Sequence, residues 1–276
     1  VRRALIAAGF CLAAMTVLAE CSTAAPAATP AGTGVVPTLS AGEHTTVTYC
    51  NHERAKITEP ATLHGPAPAA VYVHGGSWVS GDYDTGGFII NEVGPALNRF
   101  GFVVVSVNYR LGPNDPWPAQ IEDVKCAIRY LRANDKALHV NPNEIGAWGH
   151  SAGGHLVSLL GTAGPSVGWD VGAYTNESSK VEAVVDLAGP TDLPTMGLVG
   201  ASGVVSDSFI SLLGNVAPNQ LGVELLAASP VTYVGPDDPP FLIFHSNNDP
   251  IVSYKQSQDL TWDLTAAGDS VQLVTV

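Results

Sequence analysis

Positive charge is scarce in this sequence. Twelve Lys and Arg stand against 25 Asp and Glu over 276 residues, a formal net charge of −13. Proteins that hold phosphate backbones carry basic patches that release counterions, so nucleic acid is excluded as a partner. Long apolar runs are missing too, since no stretch reaches the ~18–20 unbroken apolar residues that cross a bilayer as a helix. Cysteine is limited to Cys11, Cys21, Cys50 and Cys126, none in the Cys/His spacing of a metal site. No internal repeat interrupts the chain. Apolar material is what remains: hydrophobic residues make up 46% and charged ones 13%, enough for a large core in one α/β domain of this length.

The first residues read as an address. Val1 fits an alternative start codon, and Arg2 and Arg3 precede an uncharged run from Ala4 to Ala19, the layout of a secretory signal over residues 1–21. Leu18-Ala19-Glu20-Cys21 resembles a bacterial lipobox except at Glu20, where a small residue is usual. Two destinations stay open: a secreted protein, or a cell-surface lipoprotein anchored through lipid on Cys21. Residues 22–37, rich in Ala, Thr, Pro and Gly, read as a flexible linker, and 38–276 as the folded domain. Export makes a disulfide permissible. Cys50 and Cys126 either pair, tying the N-terminal strands to the first long helix, or stay two separate buried thiols.

Within the domain, apolar runs alternate with helical patterns, the signature of a mainly parallel sheet flanked by helices. The predicted strands are Ala69–Val73, Phe102–Val107, Ile145–Trp148, Val181–Leu187, Phe241–His245 and Val271–Val276, with Thr45–Tyr49 and Ala55–Thr58 as antiparallel edges. After Pro116, Ile121, Val124, Ile128 and Leu131 recur at spacings of three and four and predict one apolar helix face. Further helices are predicted just after Ser151 to about Leu160, and over Tyr254 to Ala267, ending at Gly268. The irregular, Gly-rich stretch from Thr191 to Ala228 reads as a small cap above the sheet.

Three short segments could carry chemistry. Gly149-His150-Ser151-Ala152-Gly153 fits the nucleophile-elbow pattern, between a strand and a helix as that motif requires. A serine in such a turn presents its hydroxyl above a helix N-terminus, where free N–H groups favour negative charge. His74-Gly75-Gly76-Ser77-Trp78 follows a strand, and its backbone N–H groups, with that of Ala152, could form an oxyanion hole. Asp249, four residues beyond the strand Phe241–His245, could orient a histidine. Each segment alone also reads as an ordinary turn. Trp78, Tyr83 and Trp117 are candidates for lining an acyl or alcohol pocket, with core packing as the alternative.

Taken in order, these residues resemble a family. His74 to Trp78, Gly81-Asp82, Asn108-Tyr109-Arg110-Leu111, Pro118-Ala119-Gln120 with Asp123-Val124-Lys125, Arg129 to Arg132, Gly149 to Leu156, Ser229 to Tyr233 and Asp249 are similar to α/β-hydrolase serine esterases. The group includes acetyl-xylan and feruloyl esterases, related to hormone-sensitive lipase, and the likeness runs from about Tyr49 to the end. It implies an α/β-hydrolase fold with a small cap insertion, Ser151 as nucleophile, Asp249 as triad acid, and Gly76, Ser77 and Ala152 as oxyanion donors. The implied substrate is a small-molecule or polysaccharide-linked ester, cleaved through an acyl-serine with no metal or organic cofactor. Ser77 replaces a third glycine common in relatives and brings a hydroxyl into the loop.

The resemblance also implies a histidine after the last strand, and no histidine lies beyond His245. The expectation is therefore a chain that stops short of its general base and closing helix. Two rival readings follow: an amide-cleaving arylformamidase or exopeptidase on the same scaffold, or a tethered binding protein without activity.

Overall fold

The apolar runs assemble into one eight-stranded sheet. In the computed structural model the strands are β1 (His44–Thr48), β2 (Arg54–Thr58), β3 (Ala67–Val73), β4 (Val103–Val107), β5 (Val140–His150), β6 (Ala183–Leu187), β7 (Phe241–His245) and β8 (Val271–Thr275). The helices are α1 (Gly94–Arg99), α2 (Ala119–Ala133), α3 (Ala152–Thr162), α4 (Leu193–Gly197), α5 (Asp207–Leu213), α6 (Leu221–Ala227) and α7 (Lys255–Ala267). The structure describes residues 38–87, 89–197, 207–214, 216–217 and 219–276. The expected signal over 1–21 with Cys21, the linker over 22–37 and part of the predicted cap lie outside the described residues.

Strand order is β1-β2-β4-β3-β5-β6-β7-β8, antiparallel at β1/β2 and β2/β4 and parallel from β4 onward. This is the α/β-hydrolase sheet that the sequence predicts. Side chains alternate along each strand, so Val71 and Val73 join Val105, Val107 and Ala147 in the main core. Ala70, Tyr72, Trp148 and Val185 point the other way, where Ile90, Val93 and Leu97 pack on them. Both faces of the central strands are buried, which is why their sequences read as continuous apolar runs.

One expectation is incomplete at α2. Its apolar face is in the core, yet Gln120, Asp123, Lys125 and Arg129 on the remaining surface are buried as well. Burial of charge is tolerated there because each group has partners. Asp123 accepts from the N–H and Nε of Arg110 at 2.9 and 2.8 Å, and Asp170 meets Arg129 Nη1 at 2.7 Å and Lys125 Nζ at 3.3 Å. Cys50 and Cys126 form a disulfide, Cα–Cα 6.2 Å, that ties the β1–β2 turn to α2. Asn51, in that same turn, donates to Asp123 at 2.7 Å.

Candidate active site

Backbone geometry at the end of β5 is dictated by close approach. Ser151 adopts φ 56° and ψ −119° between β5 and α3, a conformation costing about 1–3 kcal/mol for a residue with a side chain. Glycines make the turn possible. A Cβ on Gly153 would lie 2.0 Å from Val73 O in β3, and one on Gly149 would lie 2.5 Å from the Gly153 carbonyl. The first turn of α3 thus rests directly on the backbone of β3. Ser151 N–H donates to Leu187 O at 2.9 Å, and His155 N–H returns to Ser151 O at 3.0 Å, so the turn is held from both sides. Ser151 is half-buried, and Ala152 follows as the first residue of α3, its N–H beyond the reach of any intrahelical acceptor.

The loop after β3 faces this turn. Gly75 is packed against it: a Cβ there would stand 2.8 Å from His150 O and 3.4 Å from Ser151 Cβ. Gly76, Ser77 and Trp78 all take positive φ, at 123°, 53° and 62°. Only glycine fits the first of these, because a Cβ would fall 2.1 Å from Ser80 O. Gly76 O accepts from the N–H groups of Val79 and Ser80, both at 3.1 Å, which fixes the bend. Among the described residues, the N–H groups of Gly76 and Ser77 donate to no backbone carbonyl. His74 anchors the loop's root. Its buried ring stacks on Tyr109 with centroids 4.3 Å apart, and Tyr109 Oη donates to His74 O at 2.9 Å. Burial holds the His74 imidazole below its ordinary pKa, hence neutral.

Asp249 stands in the turn after β7, its Oδ1 accepting from the N–H groups of Ile251 and Val252 at 2.8 and 2.9 Å. Its Oδ2 lies 3.6 Å from His245 Nε2. His245 is committed elsewhere: Nε2 donates to Val252 O at 2.9 Å, which leaves Nδ1 to accept from Ser257 Oγ at 2.7 Å. His150, beside Ser151, is held below its usual pKa by partial loss of solvent, with the Asp249 carboxylate opposing. Among the described residues no histidine hydrogen-bonds Ser151 Oγ.

The three aromatic candidates divide. Trp78 does not open onto a pocket; it is 3% exposed, with Nε1 donating to His155 Nδ1 at 3.1 Å and its ring 5.6 Å from Phe209. Left-handed φ at Ser77 and Trp78 turns the indole inward, so core packing is its role. Trp117 is half-buried, edge-on to Trp169 at 5.1 Å. Tyr83 is half-buried beneath the Arg54 guanidinium, 5.4 Å from its ring centre. Sequence reasoning missed the second bond of His155, whose Nε2 donates to Ala228 O at 2.6 Å at the end of α6. It also missed Tyr109 as the support of His74, although an aromatic two residues after β4 was the available signal.

A cleft of about 730 Å³ lies elsewhere, lined by Asn141, Asn143, Lys180, Glu182 and Tyr233. All but Tyr233 sit where β5 and β6 begin, whereas Ser151 follows the end of β5; Val140 pairs with Ala67 and Gly149 with Val73, so six residues of β3, about 20 Å at ~3.3 Å each, separate the two levels. The cleft and the serine are at opposite ends of the sheet.

The sequence model of the BD-FAE family matches residues 56–264. Esterase LipC of Mycobacterium tuberculosis is 30% identical over 209 residues, 74% of this chain and 50% of that protein. Probable carboxylic ester hydrolase LipM of the same organism is 30% identical over 206 residues, 71% of this chain and 44% of that protein. The chain spans about half the length of these curated relatives. Among solved structures, a truncated form of a carbohydrate esterase from gut microbiota superposes with a TM-score of 0.73 at 28% identity, covering 87% of this chain and 90% of that one.

Proposed function

The chain belongs to the BD-FAE family, and from that premise we propose that it is a serine carboxylic-ester hydrolase working through an acyl-serine. Ser151 Oγ attacks the ester carbonyl carbon and gives its proton to a base, which passes it to the departing alcohol. The negative oxygen is held by the N–H groups of Gly76, Ser77 and Ala152, and water then releases the acid. Asp249 is the carboxylate that would orient an imidazole base. That base is assigned to no residue: His74, His155 and His245 are committed to other bonds, and among the described residues no histidine, His150 included, hydrogen-bonds Ser151 Oγ. The observation that carries the proposal is the strained Ser151 turn with the Gly75 backbone against its Cβ.

The proposed substrates are small or saccharide-linked esters, which the likeness to a gut carbohydrate esterase supports. Export is proposed from the signal-like residues 1–21, with Cys21 as the site of any lipid anchor. A fluorophosphonate should label the wild-type protein at Ser151 and leave Ser151→Ala unlabelled; equal labelling of the two would refute the assignment. Added imidazole should accelerate p-nitrophenyl acetate hydrolysis by wild type beyond its effect on Ser151→Ala. Equal acceleration of both would mean that no base is wanting. Faster cleavage of anilide than of ester analogues would favour an amidase instead.

A further inference from the structure

His155 is the most completely specified side chain near the site that the proposed reaction does not use. It is fully buried, one helical turn beyond Ser151. Its tautomer follows from its neighbours. The Trp78 indole N–H can only donate, so Nδ1 carries the lone pair; the Ala228 carbonyl can only accept, so Nε2 carries the proton. The ring sits edge-on to Trp78, centroids 5.2 Å apart, and 5.9 Å from Trp117.

The elements at its two ends are the ones that shape the site. Trp78 directly follows Gly76 and Ser77, and its inward bond fixes where that loop leaves the sheet. Ala228, fully buried, closes α6 of the cap. Phe209 of α5 packs on the same indole. Resting on the oxyanion-hole reading above, we propose that His155 is a positioning residue, a neutral strut holding the Gly76–Ser77 donors at working distance from Ser151 while docking the cap. Burial supports this state, since it pushes the imidazole pKa down to about 4. A second proton would set N–H against N–H at Trp78.

The strut is tested by separating its two bonds. In His155→Asn the amide oxygen occupies about the place of Nδ1 and keeps the Trp78 bond; His155→Phe keeps bulk and loses both bonds. Fluorophosphonate labelling of Ser151 is followed against reagent concentration, separating the limiting rate from half-saturation. A displacement near 1 Å costs ~10²-fold in rate. His155→Phe should therefore lower the limiting rate about 10²-fold with half-saturation within about 3-fold, and His155→Asn should recover most of that loss. Trp78→Phe breaks the same bond from the loop side and answers if His155→Phe does not fold; it should match the His155→Phe loss. Equal losses in Phe and Asn variants, or a loss confined to half-saturation, would overturn the strut. A wild type that never labels at Ser151 would instead overturn the hydrolase reading, and the strut with it.

Discussion

Gly153 is where the architecture is least forgiving, and Gly153→Ala measures how closely. Alanine in a helix would ordinarily gain up to about 1 kcal/mol over glycine. Here its Cβ would lie 2.0 Å from Val73 O and 2.7 Å from His74 O. Both are backbone atoms, and Val73 lies in a strand paired on both sides, so no rotamer change can move them aside. The first turn of α3 must instead lift by roughly 1.4 Å to reach ordinary contact, which places the cost near the upper end of ~1–3 kcal/mol for overpacking. The net expectation is a loss of about 2 kcal/mol in urea unfolding. The same lift moves Ser151 away from the Gly75 loop, and fluorophosphonate labelling should slow about 10²-fold. Gly164→Ala is the control: φ is −63° and nothing lies within 4 Å of its Cβ, so stability should hold within about 0.5 kcal/mol and labelling should not change. If Gly153→Ala matched the control in both measurements, the close approach of α3 to β3 would not be what sets the turn.

Ser151→Gly should stabilise the protein by about 1 kcal/mol, as relief of the strain exceeds the greater freedom of glycine in the unfolded chain, whereas Ser151→Ala should gain nothing. Equal unfolding midpoints for the two variants would show the turn to be unstrained. The Cys50–Cys126 bond closes a sequence separation of 76, and loop-closure entropy assigns it about 4.5 kcal/mol. Paired replacement by serine should lower the urea midpoint accordingly, and an unchanged midpoint would deny it that part. Buried Asp186 has its pKa raised from 3.8 to about 7 by loss of solvent, despite bonds from Gly189 N–H and Ser158 Oγ. The folded state therefore holds a proton that the unfolded state releases, and stability should fall as pH rises from about 4 to 7. Asp186→Asn should flatten that fall; an identical pH profile in the variant would place the cause elsewhere.

Strands with strong apolar runs were legible nearly to the residue. Phe241–His245 agrees at both ends, and Ala69–Val73 lacks only two residues at its start. The opening of β5 was not, because Asn141, Pro142, Asn143 and Glu144 carry no apolar alternation and interrupt the register between Val140, paired with Ala67, and Ile145, paired with Ala69. Helix α1 was invisible for a different reason. It is six residues long and opens with Gly94-Pro95, too short for an apolar period to show. The burial of Lys125 and Arg129 depends on Asp170, more than 40 residues away, and no local period encodes such a partner. Around the candidate site, glycine spacing exposed both the Ser151 turn and the loop after β3. The direction of Trp78 was hidden, since it follows from two consecutive left-handed residues and a bond to His155.

What brings the two halves of the site together is the order of strands in space. From β3 the chain crosses to β4 on one side of it, then returns to form β5 on the other. The segments leaving the ends of β3 and β5 therefore diverge from neighbouring strands at the place where the winding reverses, and a crevice opens there. Register sets its width, because Val73 with Gly149 is the last pair between the two strands. From that level, one residue of β5 leads to Ser151, and three residues after β3 lead to Ser77. In the proposed oxyanion hole the donors come from both segments: Ala152 from the serine's own side, and Gly76 and Ser77 from the loop after β3. Glycine at 75, 76, 149 and 153 is the local requirement of that arrangement, and the parallel pairing of β3 with β5 is the long-range one.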